Sequence, residues 1–232
     1  MTYDAAKAWT KLYSGKSDMA YPAEGVIRIF KGRFPDLKMP GPAARQSVID
    51  VGCGDGRHLP LFHSLGMEIA AVEISDEIVS VLKERMNALA IPVDIRAGTA
   101  GSLPFQDESF DYLLTWNSCY YMSATQLNFM AHVAEMARVI RPGGWIVASI
   151  PKKTSFVFQG STAHEKPGYR IIGDEFFGGR NGEVMRCMAD RKDLETSFSG
   201  QFEDFCHADL DMDWFGLAYH WHVFAARRRN IV

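Results

Sequence analysis

Three glycines and two acids form the pattern with the clearest chemical use in this chain. Gly52, Gly54 and Gly56 stand in VIDVGCGDGRHL, with Asp50 shortly before them. Glycines where a strand turns into a helix let the backbone approach a ligand without a Cβ in the way, and the N–H groups at the helix start can hold a negative group. Glu73 closes the next strand-like run, about 20 residues on, where a carboxylate can accept both hydroxyls of a ribose. Dinucleotide sites want GxGxxG, whose third glycine would fall at residue 57; Arg57 occupies it, and the spacing here is GxGxG.

These residues need a scaffold, and the hydrophobic pattern supplies one. QSVIDVG, GMEIAAVEIS, IPVDIRAG, SFDYLLTWN and WIVASIP read as strands. Between them SDEIVSVLKERMNALA carries Ile78, Val79, Leu82, Met86 and Leu89 on one helical stripe, with Asp76 and Glu77 in its first turn. Ser123 and Gln126 have capping-box spacing ahead of a helix through Arg138, and Pro142-Gly143-Gly144 stops it. Strands alternating with helices predict an α/β fold, with parallel βαβ units and helices on both sheet faces. Ligands of such sheets bind beyond the carboxyl ends of the strands. At the end, FEDFCHADLDMDW and LAYHWHVFAARR flank Phe215-Gly216 and predict an antiparallel hairpin at the sheet edge.

Beyond the third strand come GTAGSLPF, then SFDYLLTWN, then ARVIRPGGWIVASIP. With the glycine loop and Glu73, this series resembles the class I S-adenosylmethionine-dependent methyltransferases over residues 46–151. The resemblance implies a Rossmann-like, doubly wound, mostly parallel sheet of seven strands with an antiparallel C-terminal hairpin. It implies S-adenosyl-L-methionine as cofactor. Asp50 belongs to the glycine motif; Gly52, Cys53, Gly54 and Gly56 would border the methionine part. Glu73 would hold the ribose and Ile74 would pack on adenine. Thr99 and Ala100 would approach the adenine edge, and Trp116 and Asn117 would lie beside the methionine moiety. The family often has Asp where this chain has Thr99; a hydroxyl there or the Ala100 amide can still meet the ring.

The acceptor side is expected from segments outside that core. Residues 1–232 read as one domain, with 1–45 as an N-terminal cap and 152–190 as an inserted substrate-side segment. Tyr13 and Tyr21 flank a polar loop in the cap, and Pro22 starts a helix. The SGKS of that loop is no phosphate loop, since no strand precedes it and Thr10 stands where the first glycine belongs. Tyr120 and Tyr121 follow the fourth strand, and one of them is expected to line the pocket. In the insert, GYRIIGDEFF and GEVMRCMA flank a turn-rich centre that predicts a β-hairpin over the pocket. His164 and Arg180, with Glu165, Asp174 and Glu175, are its candidate acceptor contacts. No residue is singled out as a catalytic base. Methyl transfer needs no nucleophilic cysteine, so Cys119 has no such role.

His207, Asp209, Asp211 and Asp213 alternate on one strand face, and His220 and His222 on another. Cys206, Ala208, Leu210, Met212 and Trp214 form the opposite face of the first of these, so the acid row reads as the wet face of an edge strand and no metal site is expected. A net charge of −3 over 232 residues gives no cationic field for nucleic acid or an acidic membrane. The first residues show no apolar signal core, no apolar run spans a bilayer, and the four cysteines form no CxxC pair, so a cytoplasmic location with free thiols is expected. Nothing in the sequence sets an oligomeric state. The expected partner is a small-molecule methyl acceptor reacting at O or N, with a sugar or nucleotide-linked sugar suggested by the modest insert. A nicotinamide-dependent oxidoreductase, or a binding protein of this fold without activity, stays open as an alternative.

Overall fold

The run Ser47–Val51 (β1) is buried at every residue, because parallel strands flank it and helices cover both its faces. In this computed structural model, which describes residues 3–13 and 21–230, β1 pairs with β2 (Glu68–Glu73) on one side and β4 (Phe110–Trp116) on the other. β3 (Asp94–Ala97) lies beyond β2, and β5 (Ile140–Pro151) beyond β4. β9 (Phe202–Trp214) and β10 (Leu217–Arg228) complete the order β3-β2-β1-β4-β5-β10-β9, with β10 antiparallel to β5 and β9 antiparallel to β10. This is the doubly wound seven-stranded sheet with a terminal hairpin. The chain crosses from one side of β1 to the other between β3 and β4, so a crevice opens beyond the carboxyl ends of β1 and β4.

Side chains alternate across β1 and divide the core in two. Val48 packs with Phe30 of α2 (Glu24–Lys31), Phe62 of α3 (Leu59–Ser64) and Leu82 of α4 (Asp76–Ala88). Ile49 points the other way, to Phe129 and Met136 of α5 (Phe129–Val139) and Phe198 of α6 (Arg191–Phe198). Edge-on aromatic pairs fix each layer: Phe30 and Phe62 lie 5.0 Å apart, Phe198 and Phe224 4.8 Å. The N-terminal helix α1 (Ala5–Tyr13) contacts α4.

Several local expectations shift by a turn. Ser75 caps α4 by accepting from Ile78 N, but Leu89 lies past the last turn and is exposed. α5 does not start from Ser123 and Gln126. Its cap is Asn128, whose side chain accepts from Ala131 N, while Ser123 Oγ accepts instead from Val184 N of the insert. α5 stops at Val139 and β5 begins at once, so Pro142-Gly143-Gly144 falls inside the strand. Proline still explains the stop, because the residue before it avoids helical backbone. Pro22 lies two residues ahead of α2 rather than within it.

The insert forms a separate three-stranded sheet of β6 (Thr162–Ala163), β7 (Tyr169–Ile171) and β8 (Val184–Arg186). β7 and β8 are the expected hairpin. It is tied to the loop after β4, where Met122 N donates to Val184 O and Arg186 N to Tyr120 O. The edge strand β9 departs from its core pattern: Cys206 is buried, but Ala208 and Trp214 are exposed. Its acid row is held by cations, with Lys152 Nζ 2.9 Å from Asp209 and 2.6 Å from Asp211, and Arg191 2.7 Å from Asp209. Among the described residues, no three His, Cys, Asp or Glu converge as metal ligands, and no helix is long and apolar enough to cross a membrane.

The cap assignment is testable. Asn128→Ala should cost about 1 kcal/mol and lower Tm by about 2–4 °C in a chain of this size, whereas Gln126→Ala should leave the melt unchanged.

Candidate cofactor and acceptor site

The crevice holds a cavity of about 360 Å³, inside the range of small-molecule sites. Its floor is the glycine loop, Gly52 to Gly54, with Glu73 and Ile74 after β2, Thr99 and Ala100 after β3, and Trp116 and Asn117 at the end of β4. The fold thus brings together most of the motif residues. Two of the glycines are required by space and backbone. Gly52 has φ +68°, and a Cβ there would stand 2.5 Å from Ser118 Cβ. Gly54 has φ +60°, and a Cβ there would stand 3.1 Å from the Tyr13 ring, filling the cradle between loop and roof.

Glu73 fastens this floor. Its Oε1 accepts from Gly54 N at 2.7 Å and its Oε2 from Ile74 N at 2.8 Å. Burial pushes its carboxyl up to about 7; the two N–H bonds pull the other way, and the nearby Asp50 charge adds to the rise. Each carboxylate oxygen keeps a second lone pair for a hydroxyl donor. Asn117, at φ +60°, is fixed by Ser149 on both its backbone and its side chain, and its Nδ2 donates to Tyr219 Oη at 3.2 Å.

Two motif residues do not border the cavity. Asp50 is 1% exposed and lies beneath the loop, on the face of β1 opposite Ile49, with its Oδ2 3.0 Å from His58 Nδ1. Gly56 packs on Leu59 and Leu82 and makes room for α3 and α4. Both serve the loop from behind, because strand alternation turns Asp50 away and the helix start turns Gly56 inward.

The roof comes from α1, the loop after β4 and the insert. Trp9 stacks on Tyr13 at 6.0 Å and meets Tyr121 edge-on at 5.0 Å. Arg180 Nε donates to Tyr121 Oη at 2.9 Å, and its Nη1 pairs with the buried Glu175 at 3.0 Å. Glu183 Oε1 accepts from Ser123 N at 2.8 Å, and burial raises its carboxyl above the usual range.

Of the expected acceptor contacts, Tyr13, Tyr121 and Arg180 line the cavity. Tyr21, Tyr120 and His164 do not. Tyr21 is 83% exposed ahead of α2, whose buried face is Val26 and Phe30. Tyr120 is fully buried, its ring 4.8 Å from that of Tyr121, which faces the cavity. His164 sits between β6 and β7, its Nδ1 accepting from Lys166 N. The SGKS run lies outside the described residues. Cys119 is fully buried, which pushes its thiol up to about 12, so it stays protonated.

Trp9, His58, His132, Glu183 and Tyr219 also line the cavity without a motif to mark them. Trp9 stands one helical turn before Tyr13, a spacing that could have signalled it. Glu183 reaches the site through pairing across 60 residues, and Tyr219 shares its strand face with the buried Trp221, so both read as structural positions.

The profile of the methyltransferase-domain family matches residues 49–148. A ubiquinone biosynthesis O-methyltransferase of Rhizobium etli is 30% identical over 119 residues, 51% of this chain and 46% of that one. An uncharacterised methyltransferase of Mycobacterium bovis is 31% identical over 160 residues, 68% of this chain and 56% of that one. The chain therefore spans about half the length of the curated relatives it matches. Among solved structures, an S-adenosylmethionine-dependent methyltransferase of Methanosarcina mazei superposes with a TM-score of 0.61 at 15% identity, covering 81% of this chain and 94% of that one, a likeness of fold. Residues 49–148 thus match a methyltransferase domain, and the chain has the fold of S-adenosylmethionine-dependent methyltransferases of known structure.

The Glu73 environment sets a sign. A carboxyl raised from its ordinary value to about 7 favours the fold when protonated, and that contribution is lost as pH rises through 7. Glu73→Gln removes the loss. Urea titrations from about pH 5 to about pH 8 should show the variant gaining on the wild type by up to about 3 kcal/mol. A constant difference across that window would refute the buried carboxylate.

Proposed function

We propose that this chain moves the methyl group of S-adenosylmethionine to an oxygen or nitrogen of a small, planar, conjugated acceptor. The observation that carries this reading is the convergence of the glycine loop and the buried Glu73 carboxylate on one cavity with an aromatic roof. When bound, S-adenosylmethionine supplies an electrophilic methyl on a sulfonium. Glu73 would hold the ribose hydroxyls, Ile74 and Ala100 would flank the adenine, and Asn117, fixed by Ser149, would stand beside the methionine moiety. The cap 1–45 and the insert 152–190 act as roof elements: Trp9, Tyr13 and Tyr121 shed water from the reacting centre and hold a flat acceptor in place.

That aromatic lining favours a conjugated ring over the sugar or nucleotide-linked sugar suggested by the insert. The Rhizobium relative's name, an O-methylation in ubiquinone biosynthesis, supports a quinone-type acceptor. Arg180 can donate to a ring oxygen, while Tyr13 and Tyr219, raised by burial, stay phenols and serve as hydrogen-bonding walls rather than bases. The nicotinamide alternative loses ground because Arg57 replaces the third glycine of its motif.

Calorimetric titration with S-adenosylmethionine, S-adenosylhomocysteine and NAD(H) tests the cofactor. The two adenosyl compounds should bind and NAD(H) should not; binding of NAD(H) alone would overturn the reading. Glu73→Gln should weaken S-adenosylmethionine binding by about tenfold or more, the loss of one charge-assisted hydrogen-bond acceptor. For the acceptor side, Trp9→Ala should raise KM for a hydroquinone or catechol acceptor by about tenfold while S-adenosylhomocysteine affinity holds. Equal loss of both would place Trp9 in the cofactor site.

A further inference from the structure

Arg180 carries a positive charge into the aromatic roof with part of its donor set unused. Nε donates to Tyr121 Oη at 2.9 Å and Nη1 to the buried Glu175 at 3.0 Å. Nη2 has no protein partner and is not enclosed. The side chain is 24% exposed, lines the cavity, and has the Trp9 ring centre 5.8 Å from its Cζ. A guanidinium has five N–H donors and stays charged, so two contacts hold it in place and Nη2 is left for a ligand. Its position is on the reacting side. The Arg180 charge acts on Tyr13 and Tyr219. Tyr13 overhangs Gly54, and Tyr219 accepts from Asn117, so all three stand above the floor assigned to the methionine moiety.

Among the described residues that line the cavity, none offers a base at that end. Tyr13, Tyr219 and the Cys53 thiol are all raised by burial and keep their protons at neutral pH. Tyr121 Oη is taken as the acceptor of Arg180 Nε. The unpaired Nε2 atoms of His58 and His132, and Glu183 Oε2, are enclosed and cannot touch an acceptor. Glu73 and Asp55 lie on the floor, where Glu73 accepts from Gly54 N and Ile74 N and Asp55 from Arg57 N. The remaining charges near Arg180 are its partner Glu175 and, across Tyr219, Arg57; Tyr3 and Tyr120 are further phenols raised by burial. A hydroxyl acceptor therefore meets a fixed cation and no proton acceptor.

We propose that Arg180 Nη2 holds the reacting oxygen as an oxyanion, so that the acceptor is an acidic phenol-type hydroxyl and no protein base takes its proton. The inference rests on the methyl-transfer reading above and names the acceptor class of that site. The acceptor O–H gives its proton to water and keeps the bonding pair on oxygen. That oxygen then bonds the methyl carbon while the C–S pair returns to sulfur, which cancels both charges. Arg180 acts by favouring the charged form of the acceptor, the effect an arginine has on a neighbouring carboxyl. Glu175 and Tyr121 serve to aim it.

The test uses catechols of graded acidity: 4-methylcatechol, catechol, 4-chlorocatechol and 4-nitrocatechol. On protein saturated with S-adenosylmethionine, kcat/KM should rise with pH to a break at the acidity of each free catechol, so the break moves along the series. The break in kcat should lie about one to three pH units lower, as expected beside an arginine. A break that stays in place across the series marks a protein base and would overturn the proposal. A second readout needs no turnover. With S-adenosylhomocysteine in the site, bound 4-nitrocatechol should show the absorbance of its anion at a pH where the free compound is neutral. Arg180→Met should abolish that shift and lower kcat/KM in acid by about 10- to 1000-fold, whereas Arg180→Lys, which keeps a cation beside Glu175, should retain part of both. Neutral 4-nitrocatechol on the wild type, or an undiminished shift in Arg180→Met, would overturn the assignment. The wild-type series decides the question even where Arg180→Met fails to fold around the orphaned Glu175. Turnover of no catechol by protein that still binds S-adenosylhomocysteine would overturn the acceptor class and this inference together, and leave the cofactor reading standing.

Discussion

The Glu73 carboxylate holds the end of β2 to the start of the glycine loop after β1, and the cavity exists because of that link. Without an acceptor, the Gly54 and Ile74 N–H groups would be buried and unpaired. With it, a loop of positive-φ glycines keeps one shape and leaves a hollow against the Tyr13 ring. Burial raises the carboxyl to about 7, against the pull of the two N–H groups that it organises. Asp50 lies behind the same loop, pairs with His58, and adds to that rise. The two acids have different tasks because strand alternation sends one behind the loop and register carries the other to its rim.

The roof follows another principle. Trp9 of α1, Tyr121 of the loop after β4 and Arg180 of the insert meet through an edge-on aromatic contact, a hydrogen bond and an ion pair with buried Glu175. None of these residues belongs to the parallel core of the sheet. The insert is anchored on that loop by Glu183 and by backbone pairing at Met122 and Tyr120. The floor is therefore fixed by the parallel core while the roof is built from segments outside it, a division expected where a site is built onto a common fold.

Much of the fold was legible because its determinants are local. Strand runs, the acids Asp76 and Glu77 in the first turn of α4, the proline that bars helix at residue 141 and the turn at Phe215-Gly216 act over a few residues. The floor was legible for the same reason: Gly52, Cys53 and Gly54 are contiguous, Glu73 and Trp116 each end a strand next to β1, and Thr99 follows β3 one strand further out. The misreadings occurred where two local signals competed. Ser123 had the spacing of a cap, yet the insert claimed its hydroxyl; Tyr120 and Tyr121 were equivalent until the loop turned one in and one out.

The sequence by itself determined the sheet, its crevice and the glycine–carboxylate floor, since periodicity and turn chemistry act between near neighbours. Only the tertiary structure decided the roof and the buried imidazole of His132. Whether Trp9, Glu183, Tyr219 and His132 face a cavity depends on which distant segments pack together, such as Cys119 O against His132 Nδ1 and Ser123 against Glu183. A buried polar side chain and a cavity-facing one look alike in sequence. The partner that satisfies it, or the lack of one, appears only once the chain is folded.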